Sequence, residues 1–445
     1  MTRFNPQLLR SVAVAALGSF LFGFDTAVIS GTTDALRLRF SLTNAQLGFT
    51  VASALIGTVL GSIGAGSPTE RLGRRPVLRW LAVLYFVSAL GCALAWDWSS
   101  LLFFRLVGGL AIGASSVVAP LFIAEISPAA SRGRLVAVSQ FNVVTGILAA
   151  YLSNYFVASL VGGPESQAWR VMLGIEAFPA ALFFALLFAI PESPRWLVKR
   201  HRHDEAREVL RRLGNDDPDP LVREIAESLH EETVAADEPL FQAKYRRPIL
   251  LALMVASFNQ LSGINALIYY TADIFEMAGA GRTGALAQSV IVGFTNLVFT
   301  LVAMSVIDRF GRKRLLLVGA VGLAVCLGLV AFAFSQGLGG GLVLGGLIGY
   351  IAFFAFSQGS VIWVYLSEIF PNRVRARGQA LGSFTHWFWA AAVSWSFPMI
   401  AGVSGALAFG FFAGMMLLQF VLVLLYLPET KGVSLERIQK TLGIE

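Results

Sequence analysis

Apolar stretches long enough to cross a bilayer recur along this 445-residue chain, separated by short polar loops. At helical rise, a span of the hydrocarbon core needs ~20 apolar residues. Such windows fall at about 11–31, 46–66, 77–95, 100–124, 136–160 and 170–190. They resume at about 248–275, 286–307, 314–335, 342–366, 380–402 and 405–427. The pattern predicts an all-α membrane protein with twelve transmembrane helices, six on either side of one polar segment. In that segment, Ala206, Leu210 and Leu213, then Leu221, Ile225 and Leu229, recur at helical spacing around the breaker GNDDPDP. The expected organisation is a six-helix bundle over 1–198, a helical linker over 199–247, a second bundle over 248–430 and a tail over 431–445.

Composition excludes a soluble fold, because 56% of the residues are hydrophobic and only 14% are charged. The net charge of +7 does not form a nucleic-acid stripe. Instead the basic residues cluster in short loops. Arg71, Arg74, Arg75 and Arg79 follow the second window, and Arg132 and Arg134 the fourth. Arg309, Arg312, Lys313 and Arg314 follow the eighth, and Arg373, Arg375 and Arg377 the tenth. The opposite loops hold only Arg37, Arg39, Arg170 and Arg282. Positive loops stay inside, so both termini are expected in the cytoplasm. Arg3 and Arg10 before the first apolar run resemble a signal peptide, but the run is ~20 residues long and contains Asp25, which predicts a retained span. Cys92 and Cys326 lie in apolar runs and read as free thiols.

The halves echo each other. TERLGRR (69–75) recurs as IDRFGRK (307–313), with Gly73 and Gly311 separated by 238 positions. Glu125 precedes Arg132 by seven residues, and Glu368 precedes Arg375 by seven. PESPR (191–195) is answered by PETKG (428–432), which pairs Glu192 with Glu429. These pairs indicate a duplicated six-helix unit, an architecture that places a site at the midplane between repeats.

Charges inside the apolar windows are costly and mark function. Asp25, Arg105 and Glu176 each lie five or six residues below an outer helix end, roughly 8–9 Å beneath one boundary. Two acids and one base at a common depth can meet. A carboxylate beside an arginine stays charged, whereas one parted from it in a dry site takes up a proton. A conformational change that breaks the pair would therefore couple to protons; a fixed ion pair locking helices is the alternative. At inner helix ends, Glu70, Arg71, Arg74, Glu125, Arg132, Asp308, Arg309, Arg312, Glu368 and Arg375 are expected to form a network of carboxylate forks.

Polar side chains gather near the midplane. FNQLSGINALIYY (258–270) carries Asn259, Gln260, Ser262 and Asn265, with Gln260 ~18 Å into a ~30 Å core. Asn296 reaches similar depth, and Gln140, Trp363 and Trp387 add an amide and two indoles. Amides match the donors and acceptors of a hydroxyl-rich solute, and an indole can cover a sugar ring's C–H face. Singly, each amide also suits interhelical bonding. His201, His203 and His230 lack metal-ligand spacing, and no metal or cofactor is expected.

At this point the chain resembles the sugar porters of the major facilitator superfamily, over essentially its full length. The resemblance rests on GFDTAVISG, RLGRR, PLFIAEISPAASRG, PESPRWL, NQLSGIN, DRFGRK, WVYLSEIFPNRVR and PETKG. It implies twelve helices in two pseudo-symmetric bundles joined by a cytoplasmic helical domain, and alternating access around a central sugar site. It also implies proton coupling by Asp25, Arg105 and Glu176, as in bacterial xylose and glucose symporters; facilitative glucose transporters lack both acids. The implied sugar contacts are Gln140, Asn259, Gln260, Asn265, Asn296, Trp363, Trp387 and His386, with Tyr269 and Tyr270 as gate residues. Glu192, Arg195 and Glu429 join the inner ion-pair network. Departures are Asn259 for a glutamine, Gly359-Ser360 for Gly-Pro, His386 for an amide and Glu70 for an aspartate. The bend of the tenth helix is thus expected to rest on glycine and local unwinding. The resulting expectation is a monomeric sugar–proton symporter of a bacterial inner membrane, for glucose or a similar aldose. The alternatives are a uniporter and a transporter-like sugar sensor; the short stretch after Pro428 favours transport. No enzyme activity is expected.

Overall fold

The computed structural model describes residues 5–129, 131–161, 167–235, 238–371, 373–433 and 435–444, so Arg3 lies outside the described residues. The helix ends beside the arginine-rich loops are called inner and the opposite ends outer. α1 (Pro6–Val28) begins where the Asn5 side chain accepts from the amides of Gln7 and Leu8, and Pro6 supplies a preset φ. A 3-10 turn, Ile29–Gly31, and α2 (Thr33–Phe40) close its outer end. α3 (Asn44–Gly64), α4 (Gly66–Leu72) and α5 (Arg74–Ala93) follow. α6 (Trp98–Ile126) starts on a capping box between Asp97 and Ser100. After α7 (Arg132–Val161), the sixth span is broken into α8 (Ala168–Gly174) and α9 (Ala177–Leu186), with Glu176 at the break.

α10 (Pro194–Lys199), an unexpected helix in the stretch assigned to the first bundle, precedes α11 (His203–Arg212) and α12 (Asp219–Ala235), the helices expected in the linker. Trp196, Leu197, Ala206, Leu210 and Val222 form their core. Val222 takes the buried place in α12, and the expected Leu221 is only half-buried.

The seventh rod is divided into α13 (Arg246–Leu261), α14 (Ile264–Tyr269) and α15 (Thr271–Met277). Gly263 makes the first break at φ +88°, where a β-carbon would lie 2.6 Å from the Phe412 ring. The apolar span ends at Tyr269, earlier than expected, and α15 lies beyond it. α16 (Arg282–Phe310), α17 (Arg312–Ser335), α18 (Gly340–Phe356) and α19 (Gln358–Glu368) follow. α20 (Arg375–Val403), α21 (Gly405–Tyr426) and the tail helix α22 (Leu435–Leu442) complete the chain.

The bend between α18 and α19 falls at Ser357, not at Gly359. The Ser357 and Ser360 hydroxyls donate to the carbonyls of Phe353 (2.6 Å) and Ala355 (2.8 Å), satisfying acceptors that the break leaves exposed.

Among the described residues, eleven helical segments are long and apolar enough to cross a membrane. The 29-residue α20 is the twelfth by length; Thr385, His386, Ser394 and Ser396 reduce its apolarity. The chain packs as two compact units. The first comprises Met1–Thr26, Ile56–Ala150 and Arg170–Asp237, around Leu78, Tyr85, Val118, Phe122 and Phe183. The second comprises Ala27–Leu55, Tyr151–Trp169 and Glu238–Glu445, around Val255, Leu315, Ile362, Tyr365 and Phe370. Ile438 and Leu442 of the tail helix dock into this second core.

Candidate functional site

Within the first unit, α1 and α6 bring Asp25 and Arg105 together. Arg105 Nη1 donates to Asp25 Oδ1 at 3.0 Å and to Oδ2 at 3.2 Å, and both side chains are buried. Glu176 is also buried, close enough to interact electrostatically with both groups. Its Oε1 has no hydrogen-bond partner. The trio thus holds two acids against one base out of water, the arrangement in which a proton is the least costly way to balance charge.

Residues that sequence reasoning missed shape this cluster. A β-carbon on Gly108 would lie 2.4 Å from Ser88 Oγ and 3.8 Å from Asp25 Oδ1, so glycine lets α5 and α6 close around the acid. The hydroxyls of Tyr85 and Ser115 are also buried here, and Tyr85 is near enough to Glu176 and Asp25 to interact with them electrostatically. Their legible signal was only a hydroxyl in an apolar helix, which is common.

The inner ends of the halves carry the same corner twice. In the first unit, Arg74 Nε and Nη2 fork onto Glu125 at 2.9 and 2.8 Å, and Nη2 also reaches Glu70 at 3.0 Å. Glu192 accepts from the backbone amides of Arg74 and Arg75. In the second unit, Arg312 forks onto Glu368 at 3.2 and 3.0 Å. Glu429 accepts from the amides of Arg312 and Lys313. Gly73 (φ +101°) and Gly311 (φ +87°) turn the chain into these sites, with the carboxylates of Glu192 and Glu429 where their β-carbons would stand.

The expected Glu-then-Arg forks do not form. Arg132 is exposed on α7, and Arg375 Nε donates to the Phe370 carbonyl at 3.4 Å. The reason is geometric: Arg74 and Arg312 already occupy the forks of Glu125 and Glu368. Arg195 donates to Ser228 Oγ at 3.5 Å. Arg71 and Arg309 are exposed and contribute carbonyls, to Arg200 and Lys431 at 2.6 Å each. The Asp308 side chain lies outside the described residues.

The corner carboxylates differ in their acidity. Burial pushes Glu192 up, against the amides of Ser193, Arg75 and Arg74, and leaves it above its ordinary value. Burial also raises Glu429, but the amides of Lys431, Arg312, Lys313 and Thr430 outweigh it and hold the group below its ordinary value.

Asn259, Gln260 and His386 of the second unit form one connected group. Gln260 is buried on α13, with Nε2 3.0 Å from His386 Nε2 and 3.2 Å from Asn259 Oδ1. Asn259 Nδ2 donates to the Gln358 carbonyl at 3.2 Å. His386 stands between Trp363 and Trp387, with ring centroids 5.0 and 4.9 Å away. Gln260 Oε1 and Asn265 Nδ2 are buried without partners, and Asn296 is buried on α16. Trp363 is 40% exposed. Gln140 lies on α7 in the first unit and is exposed.

Tyr269 is buried, and Tyr270 Oη donates to the Ser394 carbonyl at 2.9 Å, with its ring 5.3 Å from that of Phe397. Sequence reasoning missed Gln358 and Gln419, joined at 2.6 Å, because each is an isolated amide in an apolar helix.

Comparison with known proteins places the chain in a family. The profile of the family described as sugar (and other) transporter matches residues 11–442. The D-xylose-proton symporter of Escherichia coli (strain K12) is 37% identical over 476 residues, covering 98% of this chain and 96% of that protein. The arabinose-proton symporter of Bacillus subtilis (strain 168) is 37% identical over 433 residues, covering 96% and 93%. The solved structure of the E. coli xylose transporter in a partially occluded inward-open conformation matches with a TM-score of 0.87 at 36% identity, covering 96% of this chain and 99% of that one. Relatives at this identity along both whole chains establish kinship as well as fold: the chain belongs to the sugar (and other) transporter family and is a multi-pass sugar porter of the major facilitator superfamily.

Proposed function

We propose that this protein carries a monosaccharide, glucose or a similar aldose, across a bacterial inner membrane together with a proton. The observation that carries the reading is the buried Asp25–Arg105 pair with Glu176 beside it. Asp25 gives up Arg105 and takes a proton in one stage of the cycle, then returns the proton and regains Arg105 in another. Gln260, Asn265, Asn296 and His386 bond sugar hydroxyls, with Trp363 and Trp387 against the ring and Asn259 supporting Gln260; Gln140 of α7 is the sugar contact proposed for the first unit. Tyr269 and Tyr270 gate the outer side. Both termini are cytoplasmic, transport proceeds by alternating access, and the monomer is the working unit. The named sugars of the relatives, xylose, arabinose and glucose, support an aldose as cargo.

One proton moving down ~120 mV releases about 2.8 kcal/mol, enough for roughly hundredfold accumulation. Sugar uptake and pH should be followed together in proteoliposomes. Wild type is expected to concentrate sugar and alkalinise the outside, while Asp25→Asn keeps counterflow and loses accumulation. Uptake that never exceeds equilibrium, with no pH change, would establish the uniporter instead.

A further inference from the structure

A second group of ionisable residues lies away from Asp25, at the outer end of the second unit. Arg282, at the start of α16, donates from Nη1 to Asp34 Oδ2 of α2 at 2.9 Å and to Glu276 Oε1 of α15 at 2.8 Å. Its Nη2 donates to the Gly31 carbonyl at 2.6 Å. Thr33 Oγ1 donates to Asp273 Oδ1 at 2.9 Å, while the buried Asp273 Oδ2 has no partner. The Ala272 amide donates to Ser30 Oγ at 3.2 Å, and Asn154 Nδ2 of α7 to the Val28 carbonyl at 3.0 Å. The turn Ile29–Gly31 and α2 are thereby clamped to α15 and α16 by one arginine and three carboxylates.

The charges do not balance. Asp34, Asp273 and Glu276 face Arg282, with Arg37 of α2 as the further cation near Asp273. Among the described residues, α7 adds only the phenols of Tyr151 and Tyr155 near its outer end, and α18 only Tyr350, whose hydroxyl bonds Ser262. Nor do the carboxylates converge as metal ligands among the described residues. We propose that this cluster binds protons as a latch: protonated, it holds α2 on α15 and α16, and ionised, it releases them.

The electrostatics give the latch its sign. Burial first, then the neighbouring Asp34, pushes Glu276 up to about 8 despite Arg282. Burial first, then Asp34, pushes Asp273 up to about 7 despite Thr33, Arg282 and Arg37. Once α2 separates from α15, both carboxyls meet water and return toward ~4. The closed contact therefore binds protons more tightly than the open one. Its advantage is complete below the open-state values and is lost as pH rises, through about 7 and about 8. The ratio of closed to open should fall at least tenfold between pH 6 and 8.

The test is pulsed electron spin resonance on full-length protein in nanodiscs, with spin labels replacing the exposed Leu38 of α2 and Leu338 beside α18. In wild type the short-distance population is expected to shrink by that factor between pH 6 and 8. The same change is expected with Asp25→Asn, which separates the latch from proton coupling at the centre. E276Q should roughly halve the response on a logarithmic scale, and E276Q with D273N should abolish it and stay closed. A pH-invariant distance distribution in wild type, or a full response in the double variant, would overturn the latch.

Discussion

The carboxylate of Glu192 stands where a β-carbon on Gly73 would have to be, 2.5 Å from Oε2. The same relation holds between Glu429 and Gly311, at 2.7 Å. The glycine of each repeated motif is thus required twice over, for its positive φ and for the space that an acid from another helix end fills. Replacing Gly73 or Gly311 by alanine is expected to cost about 1–3 kcal/mol of strain and to lower the melting temperature in detergent. Gly66→Ala, into open space, should leave it within about 0.5 kcal/mol.

Arg74 and Glu125 are nearly inaccessible to water, whereas Arg132 is exposed. Arg74→Ala leaves the buried Glu125 carboxylate uncompensated, while Glu70 keeps Lys199, and should destabilise the first unit by about 3–5 kcal/mol. Arg132→Ala should change stability by less than about 0.5 kcal/mol. Thermal unfolding of the two variants side by side decides whether the fork or the sequence spacing carries the energy.

Acid should act on the second corner in a particular direction. Glu429 sits below its ordinary value, so its contribution to stability is complete above about 4.5 and fades as pH falls through the lowered value. Hydrogen exchange at the Arg312 and Lys313 amides is expected to accelerate on acidification in wild type, after correction for the intrinsic rate. Glu429→Gln, which cannot ionise, should remove that dependence.

The Gln260–His386 contact gives a specificity test. Gln260→Ala leaves the buried His386 ring short of its partner and should weaken sugar binding by about tenfold or more, about 1–2 kcal/mol. His386→Gln restores an amide and should change the ranking of competing sugars more than it changes maximal uptake. A competitor panel in the binding assay reads both effects.

Much of this was legible in the chain. Apolar windows of ~20 residues can satisfy their backbone only as helices in lipid, and the repeat of RLGRR as DRFGRK carried the duplication. The depth argument for Asp25, Arg105 and Glu176 worked because helical rise converts residue number into distance. The seven-residue spacing argument failed for Arg132 and Arg375, because spacing along one chain cannot say which of several arginines reaches a carboxylate first. The Arg74 and Arg312 forks come from residues 51 and 56 positions away from their acids.

What the sequence alone determined is therefore the count of spans, their repeat and the few places where charge enters an apolar helix. Those follow from solvation, which each residue carries with it. Partner choice was decided only by the tertiary structure: Arg74 over Arg132, Ser357 over Gly359 as the bend, and Arg282 as the hub of three carboxylates. Such pairings depend on how helices far apart in sequence approach within ~3 Å, and only packing in three dimensions fixes that distance.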